Sequence, residues 1–111
     1  MKLFLLRKNQ SVNAIAEWNQ NTNTFKVLKG SVVSESIATH TKFRSAKTIE
    51  KTRANGTVVN RILMTDVLFK SASSAANFVT GSSTNGLEAW KDITGKKLKN
   101  ILAENNNEQV K

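Results

Sequence analysis

Three kinds of side chain in this sequence have the chemistry to act on or hold another molecule: one histidine, eight scattered carboxylates and an excess of cations. His40 is the only histidine and lies in a Ser/Thr-rich stretch, Ser34 to Thr41. A lone histidine in such a stretch is far more often solvated than catalytic. There is no cysteine, hence no thiolate nucleophile, no disulfide and no cysteine zinc site. Catalysis would need Asp66 or Asp92 beside His40, and nothing in their spacing brings them there. Walker, Gly-x-Gly-x-x-Gly and Gly-x-Ser-x-Gly patterns are absent. The sequence therefore reads as a protein that is not an enzyme and uses no cofactor or metal.

The cations carry more. Seventeen Lys and Arg stand against eight Asp and Glu, a formal charge of +9 over 111 residues. Such a balance speaks to partners rather than to fold, and polyanions are the obvious ones, nucleic acid first. Arg44, Lys47 and Lys51 fall one turn apart on a helical projection, with Lys42 and Arg53 close by and Glu50 the only acid. A solvated helix face usually mixes signs, so this near-uniform ridge reads as a phosphate contact. A second cluster, Lys91, Lys96, Lys97 and Lys99, is diluted by Glu88, Asp92 and Glu104.

Elements must position these groups. Residues 2–7 read as a strand with apolar residues on both faces. Residues 12–19 alternate, with Val12, Ala14, Ala16 and Trp18 on one side. The run from Asn19 to Thr24 is turn chemistry, and Phe25 to Lys29 returns as the second arm of a hairpin. From Thr41 the period becomes helical, with Phe43, Ala46 and Ile49 inward and Asn55-Gly56 as the stop. Residues 58–64 read as one strand and Val67 to Phe69 as a short extended segment. Ser71 caps a helix of about nine residues that ends at Gly81, its free first-turn amides also being suited to an anion. Its alanines predict close approach to a sheet. A third helix is predicted near residues 95–104, with Leu98, Ile101 and Leu102 inward. Trp18 and Trp90 read as core rather than as base-stacking platforms.

The chain length fits one domain. The expected architecture is α+β: a single domain over residues 1–104, an antiparallel sheet of four or five strands with three helices mainly on one face, and a frayed polar tail over 105–111. The apolar run Leu3 to Leu6 stops at Arg7, short of a signal peptide, and no stretch approaches a membrane span. The expectation is a soluble cytoplasmic protein without membrane contact.

Several segments then carry a resemblance: Phe25 to Ser31; Phe69-Lys70-Ser71-Ala72-Ser73-Ser74-Ala75-Ala76 with Gly81; Asn85-Gly86-Leu87-Glu88-Ala89-Trp90-Lys91; and Gly95-Lys96-Lys97-Leu98. Together they resemble a domain-of-unknown-function family found C-terminal to GIY-YIG nucleases and in restriction-modification proteins. The pattern is also similar to the restriction adenine methylase-associated domain, proposed to read modified DNA. Ala72 stands where the family usually has proline, a natural first helical residue. Leu87 stands where it usually has tryptophan: if that ring lines a pocket, leucine removes it, and if it is core, leucine repacks.

The resemblance implies an accessory DNA-recognition module, with a nuclease or methyltransferase as partner protein. The expected function is non-catalytic binding of double-stranded DNA. Arg44, Lys47, Lys51 and Arg53 would hold phosphates. Ser71 and the Asn85-Gly86 turn would be specificity elements, and Lys70, Ser73, Lys91, Lys96, Lys97 and Lys99 further nucleic-acid contacts. About five neutralised phosphates would give a salt slope of roughly −4.5. The alternative is a protein-interaction module whose charge meets an acidic protein, for which an exposed apolar patch would be the sign.

Overall fold

The computed structural model describes residues 1–38 and 45–110. Its elements run β1 (Lys2–Arg7), β2 (Val12–Asn19), β3 (Thr24–Val27), α1 (Ala46–Arg53), β4 (Val58–Val59), β5 (Ile62–Leu63), β6 (Val67–Phe69), α2 (Ala72–Thr80), α3 (Gly86–Ala89) and α4 (Leu98–Val110). Strands β1-β2-β3-β6 form an antiparallel sheet in that order, and β4-β5 form a two-stranded hairpin. This is the α+β architecture expected.

Period-two alternation decides which way the sheet faces. Leu3 and Leu5 on β1, Val12, Ala14, Ala16 and Trp18 on β2, and Phe25 and Val27 on β3 are all buried, in register across the sheet. Trp18 stacks parallel to Phe25 directly opposite, ring centres 6.1 Å apart. The alternate residues Lys2, Leu6, Asn13, Lys26 and Leu68 are exposed. The helices thus cover one face only. Against it lies α2, whose Ala72, Ala75 and Ala76 form the inner stripe with Phe78 and Val79. Small side chains let a helix backbone come close, and Phe78 then meets Phe69 of β6 at 5.1 Å.

Both ends of α2 are as the sequence predicts. Ser71 Oγ accepts the Ser74 N–H at 3.0 Å, a cap worth about 1 kcal/mol. Gly81 closes the helix in the left-handed region, φ 69°.

Two segments differ from expectation, the first being Gly86–Ala89, where a short fourth helix, α3, joins the three expected. Residues 58–64 are a tight hairpin, β4 and β5 joined through Asn60 and Arg61, both at positive φ (50° and 69°). Two consecutive positive φ values are what a two-residue hairpin turn of matching twist requires, and arginine is a poor residue for it. The Arg61 guanidinium offsets that strain by donating to Gln10 O (3.0 Å), Ser11 O (3.1 Å) and Val33 O (3.3 Å). The last helix spans Leu98–Val110. Nothing from Ala103 to Val110 is glycine or proline, so no residue breaks it.

Candidate nucleic-acid interface

The cations predicted to bind phosphate separate into three groups. On α1, Lys47 and Lys51 are exposed, stacked one turn apart. Lys70, at the end of β6 just before the Ser71 cap, is exposed as well. Among the described residues none of the three has a carboxylate within 4.0 Å. Arg44, with Lys42, Thr41, Phe43 and His40, lies outside the described residues.

Arg53 goes elsewhere. Its guanidinium turns inward over the Phe78 ring, 5.6 Å from the centroid. All three nitrogens are engaged: Nε and Nη2 donate to Phe78 O (3.2 and 2.5 Å), Nη1 to Ser34 O (2.9 Å), and Nη2 also to Ser34 Oγ (3.1 Å). Burial lowers its pKa from the ordinary guanidinium range to about 10, so it stays cationic at neutral pH. Arg53 is a tie between α1, α2 and the segment after β3, with four of its five N–H donors committed to Phe78 and Ser34.

Three of the third group, Lys96, Lys97 and Lys99, are ion-paired where they stand. Glu88 on α3 receives Lys97 (2.8 Å) and Lys99 (2.9 Å), and Lys96 meets Glu104 (2.5 Å). The two lysines hold the Glu88 pKa down from 4.5 to about 2. Lys91 is exposed, and its backbone bridges Phe4 of β1.

Between the α1 ridge and Lys70 runs a cleft of about 230 Å³ bounded by α1, β6 and α2. Ser45, Thr48 and Thr52 line it from α1, Ser74 and Asn77 from α2, and Phe69 and Phe78 form the floor. Lys51 and Lys47 flank this hydroxyl stripe on its solvent side by the helical step of 100° per residue. Asn77 Oδ1 is taken by the Thr84 N–H (2.8 Å), which leaves its NH2 as a donor. Of this lining sequence reasoning named Lys70 as a site residue and missed Ser45, Thr48, Thr52 and Asn77, although Ser45, Thr48 and Thr52 are spaced for one helix face. An array of hydroxyl and amide donors beside three lysines is what a nucleic-acid backbone takes up.

The remaining predicted site residues turn out to be mutual supports. Ser73 Oγ accepts the Gly86 N–H (3.1 Å), and Asn85 Oδ1 caps α3 through the Leu87 N–H (3.0 Å). A Cβ on Gly86 would run into the Ala72–Ser73 backbone. Trp90 is fully buried and donates its indole N–H to Ala72 O (3.0 Å). Leu87 is 40% exposed, at the surface and not in the core. The Ser-x-Ala-Ala and Asn-Gly-x-x-x-Trp segments thus lock α3 onto the start of α2. Of the acids, Asp66 accepts the Lys29 N–H (2.8 Å). Asp92 holds its own turn through Thr94 and Lys96, bonds that depress its pKa.

The family model of a domain of unknown function, DUF4357, matches residues 6–102. No curated protein and no solved structure is detectably similar to the chain. No described helix is long and apolar enough to cross a membrane.

Proposed function

The chain belongs to the DUF4357 family, and from that premise we propose that it is a non-catalytic module that binds the phosphate backbone of duplex DNA along α1 and the start of α2. One observation carries this reading. Lys47, Lys51 and Lys70 are exposed, have no carboxylate within ion-pair distance among the described residues, and surround a cleft of hydroxyl and amide donors. Ser71 supports it from beneath by fixing the α2 start, and the overall +9 charge steers a polyanion toward the surface. In a cell the module would serve a nuclease or methyltransferase of a restriction-modification type, the setting that the family resemblance implies.

Three neutralised phosphates give a slope of log affinity against log salt of roughly −2.7, less steep than a five-contact ridge. Between 50 and 200 mM salt the affinity then falls about forty-fold. Fluorescence anisotropy with a labelled duplex, plain and adenine-methylated, over a salt series tests it. Micromolar binding with that slope, lost in K47A/K51A/K70A, supports the reading, and a difference between the duplexes adds modification sensing. Absence of binding at low salt overturns it.

A further inference from the structure

Two Asn-Gly pairs occur in the chain, Asn55-Gly56 and Asn85-Gly86, and the fold treats them in opposite ways. An asparagine before glycine is open to attack on its side-chain amide by the next main-chain nitrogen, because glycine puts no β carbon in the path. What decides the outcome is whether the folded chain lets that nitrogen move.

At Asn85-Gly86 it is held. The Gly86 N–H donates to Ser73 Oγ (3.1 Å), and Asn85 Oδ1 accepts the Leu87 N–H (3.0 Å). Gly86 is buried, with the Ala72–Ser73 backbone where a Cβ would stand. Turning the Gly86 nitrogen onto Asn85 Cγ would pull α3 off the start of α2.

Asn55-Gly56 lies just past α1, at the centre of a turn. The Thr57 N–H donates to Ala54 O (3.2 Å), and between them Asn55 and Gly56 have φ of 58° and 83°, both positive as in a type I′ turn. Both residues are exposed, and a Cβ on Gly56 would meet nothing within 4 Å. Among the described residues the Gly56 N–H has no main-chain acceptor. Freeing the nitrogen therefore breaks one exposed main-chain bond, the kind of local opening that costs far less than unfolding.

We propose that Asn55 is a site of spontaneous modification, converted to aspartate and isoaspartate in the folded protein while Asn85 is protected. The Gly56 nitrogen bonds to Asn55 Cγ and gives up its proton; the Cγ–Nδ2 bond breaks and ammonia leaves. Water then opens the five-membered imide at either carbonyl. The products are aspartate, or isoaspartate with the main chain running through the β carbon. The sum is amide plus water to carboxylic acid plus ammonia, with nothing oxidised or reduced. The new carboxylate arises at the C-terminal end of α1, four residues beyond Lys51, and opposes that lysine as Glu88 opposes Lys97 and Lys99. Its effect on affinity rests on the DNA-binding reading; the conversion itself does not.

The test incubates the full chain in mildly alkaline buffer, native and in guanidinium chloride, and follows both sites by peptide mass mapping. Native protein should convert at Asn55 about ten-fold or more faster than at Asn85, and the denatured chain should convert at both. Equal native rates at the two sites, or conversion of Asn55 only in denaturant, would overturn the proposal. Asn55→Asp, prepared separately, should bind duplex DNA several-fold more weakly at about 100 mM salt, with the salt slope flattened by up to about 0.9. Asn55→Asp binding as tightly as a wild type that does bind overturns the effect on affinity. A wild type that binds no duplex fails the DNA reading instead, and the mass mapping still decides the modification.

Discussion

Lys47, Lys51 and Arg53 of α1 and Lys96, Lys97 and Lys99 around the start of α4 read alike along the chain, as basic triplets on helices. In three dimensions they differ in what faces them. The α4 triplet meets Glu88 and Glu104, so most of its charge is compensated locally and it fastens α3 to α4. The α1 pair meets no carboxylate among the described residues, and the third member, Arg53, has turned into the protein. A basic residue becomes a phosphate contact only when no carbonyl or carboxylate of its own chain takes its donors first. Charge count along the sequence does not reveal that.

The largest expected effect separates Arg53 from its neighbours on α1. Arg53→Ala should cost about 3 kcal/mol, because bonds from a charged donor contribute ~1.5–3 kcal/mol each and two carbonyls lose their partner. For a domain of this size that lowers Tm by roughly 12 °C. Arg53→Lys should recover less than half, as an ammonium cannot fork between Phe78 O and Ser34 O. Thermal unfolding by circular dichroism decides it; an unchanged Tm would return Arg53 to the ridge.

The next effect is on binding. K47A/K51A/K70A should lose DNA affinity at least ten-fold at about 100 mM salt, with the slope flattened by roughly 2.7. Its stability should stay within about 0.5 kcal/mol for each exposed site.

Glu88→Gln sharpens the comparison from the other side. Releasing Lys97 and Lys99 should raise DNA affinity several-fold in the same anisotropy titration. The same variant should alter acid unfolding. Glu88 has its folded pKa depressed from 4.5 to about 2, so its contribution to stability is present above pH 4.5 and is lost as pH falls toward 2. Wild-type stability should decline through that window, and Glu88→Gln should remove part of the decline. The smallest effect is expected of K96A/K97A/K99A, which should change duplex affinity less than two-fold.

Where a local rule decides the structure, the sequence can be read. The alternation of Val12, Ala14, Ala16 and Trp18 places one face of β2 in the core. Ser71 and Gly81 bracket α2 because a cap and a left-handed stop are local chemistry. The strand expected over residues 58–64 breaks at Asn60-Arg61, where the turn is held by carbonyls at residues 10, 11 and 33. Arg53 is equally illegible, since its acceptors lie 19 and 25 residues away. The Asn85-Gly86 and Trp90 positions carry the family pattern, yet their reason is contact with the Ala72–Ser73 backbone. That approach exists only after α2 and α3 have packed. The cleft hydroxyls, Ser45, Thr48 and Thr52, the last donating to Thr48 O, were present as a helical stripe, but nothing local marks a polar stripe as facing a groove.

The most direct test is an amide-resolved titration of the labelled protein with a short DNA duplex. The account predicts shifts concentrated at Ser45 to Thr52 and Lys70 to Asn77, with Lys96 to Asn100 largely unmoved. Shifts centred on Lys96 to Asn100, with α1 and the start of α2 unaffected, would contradict it.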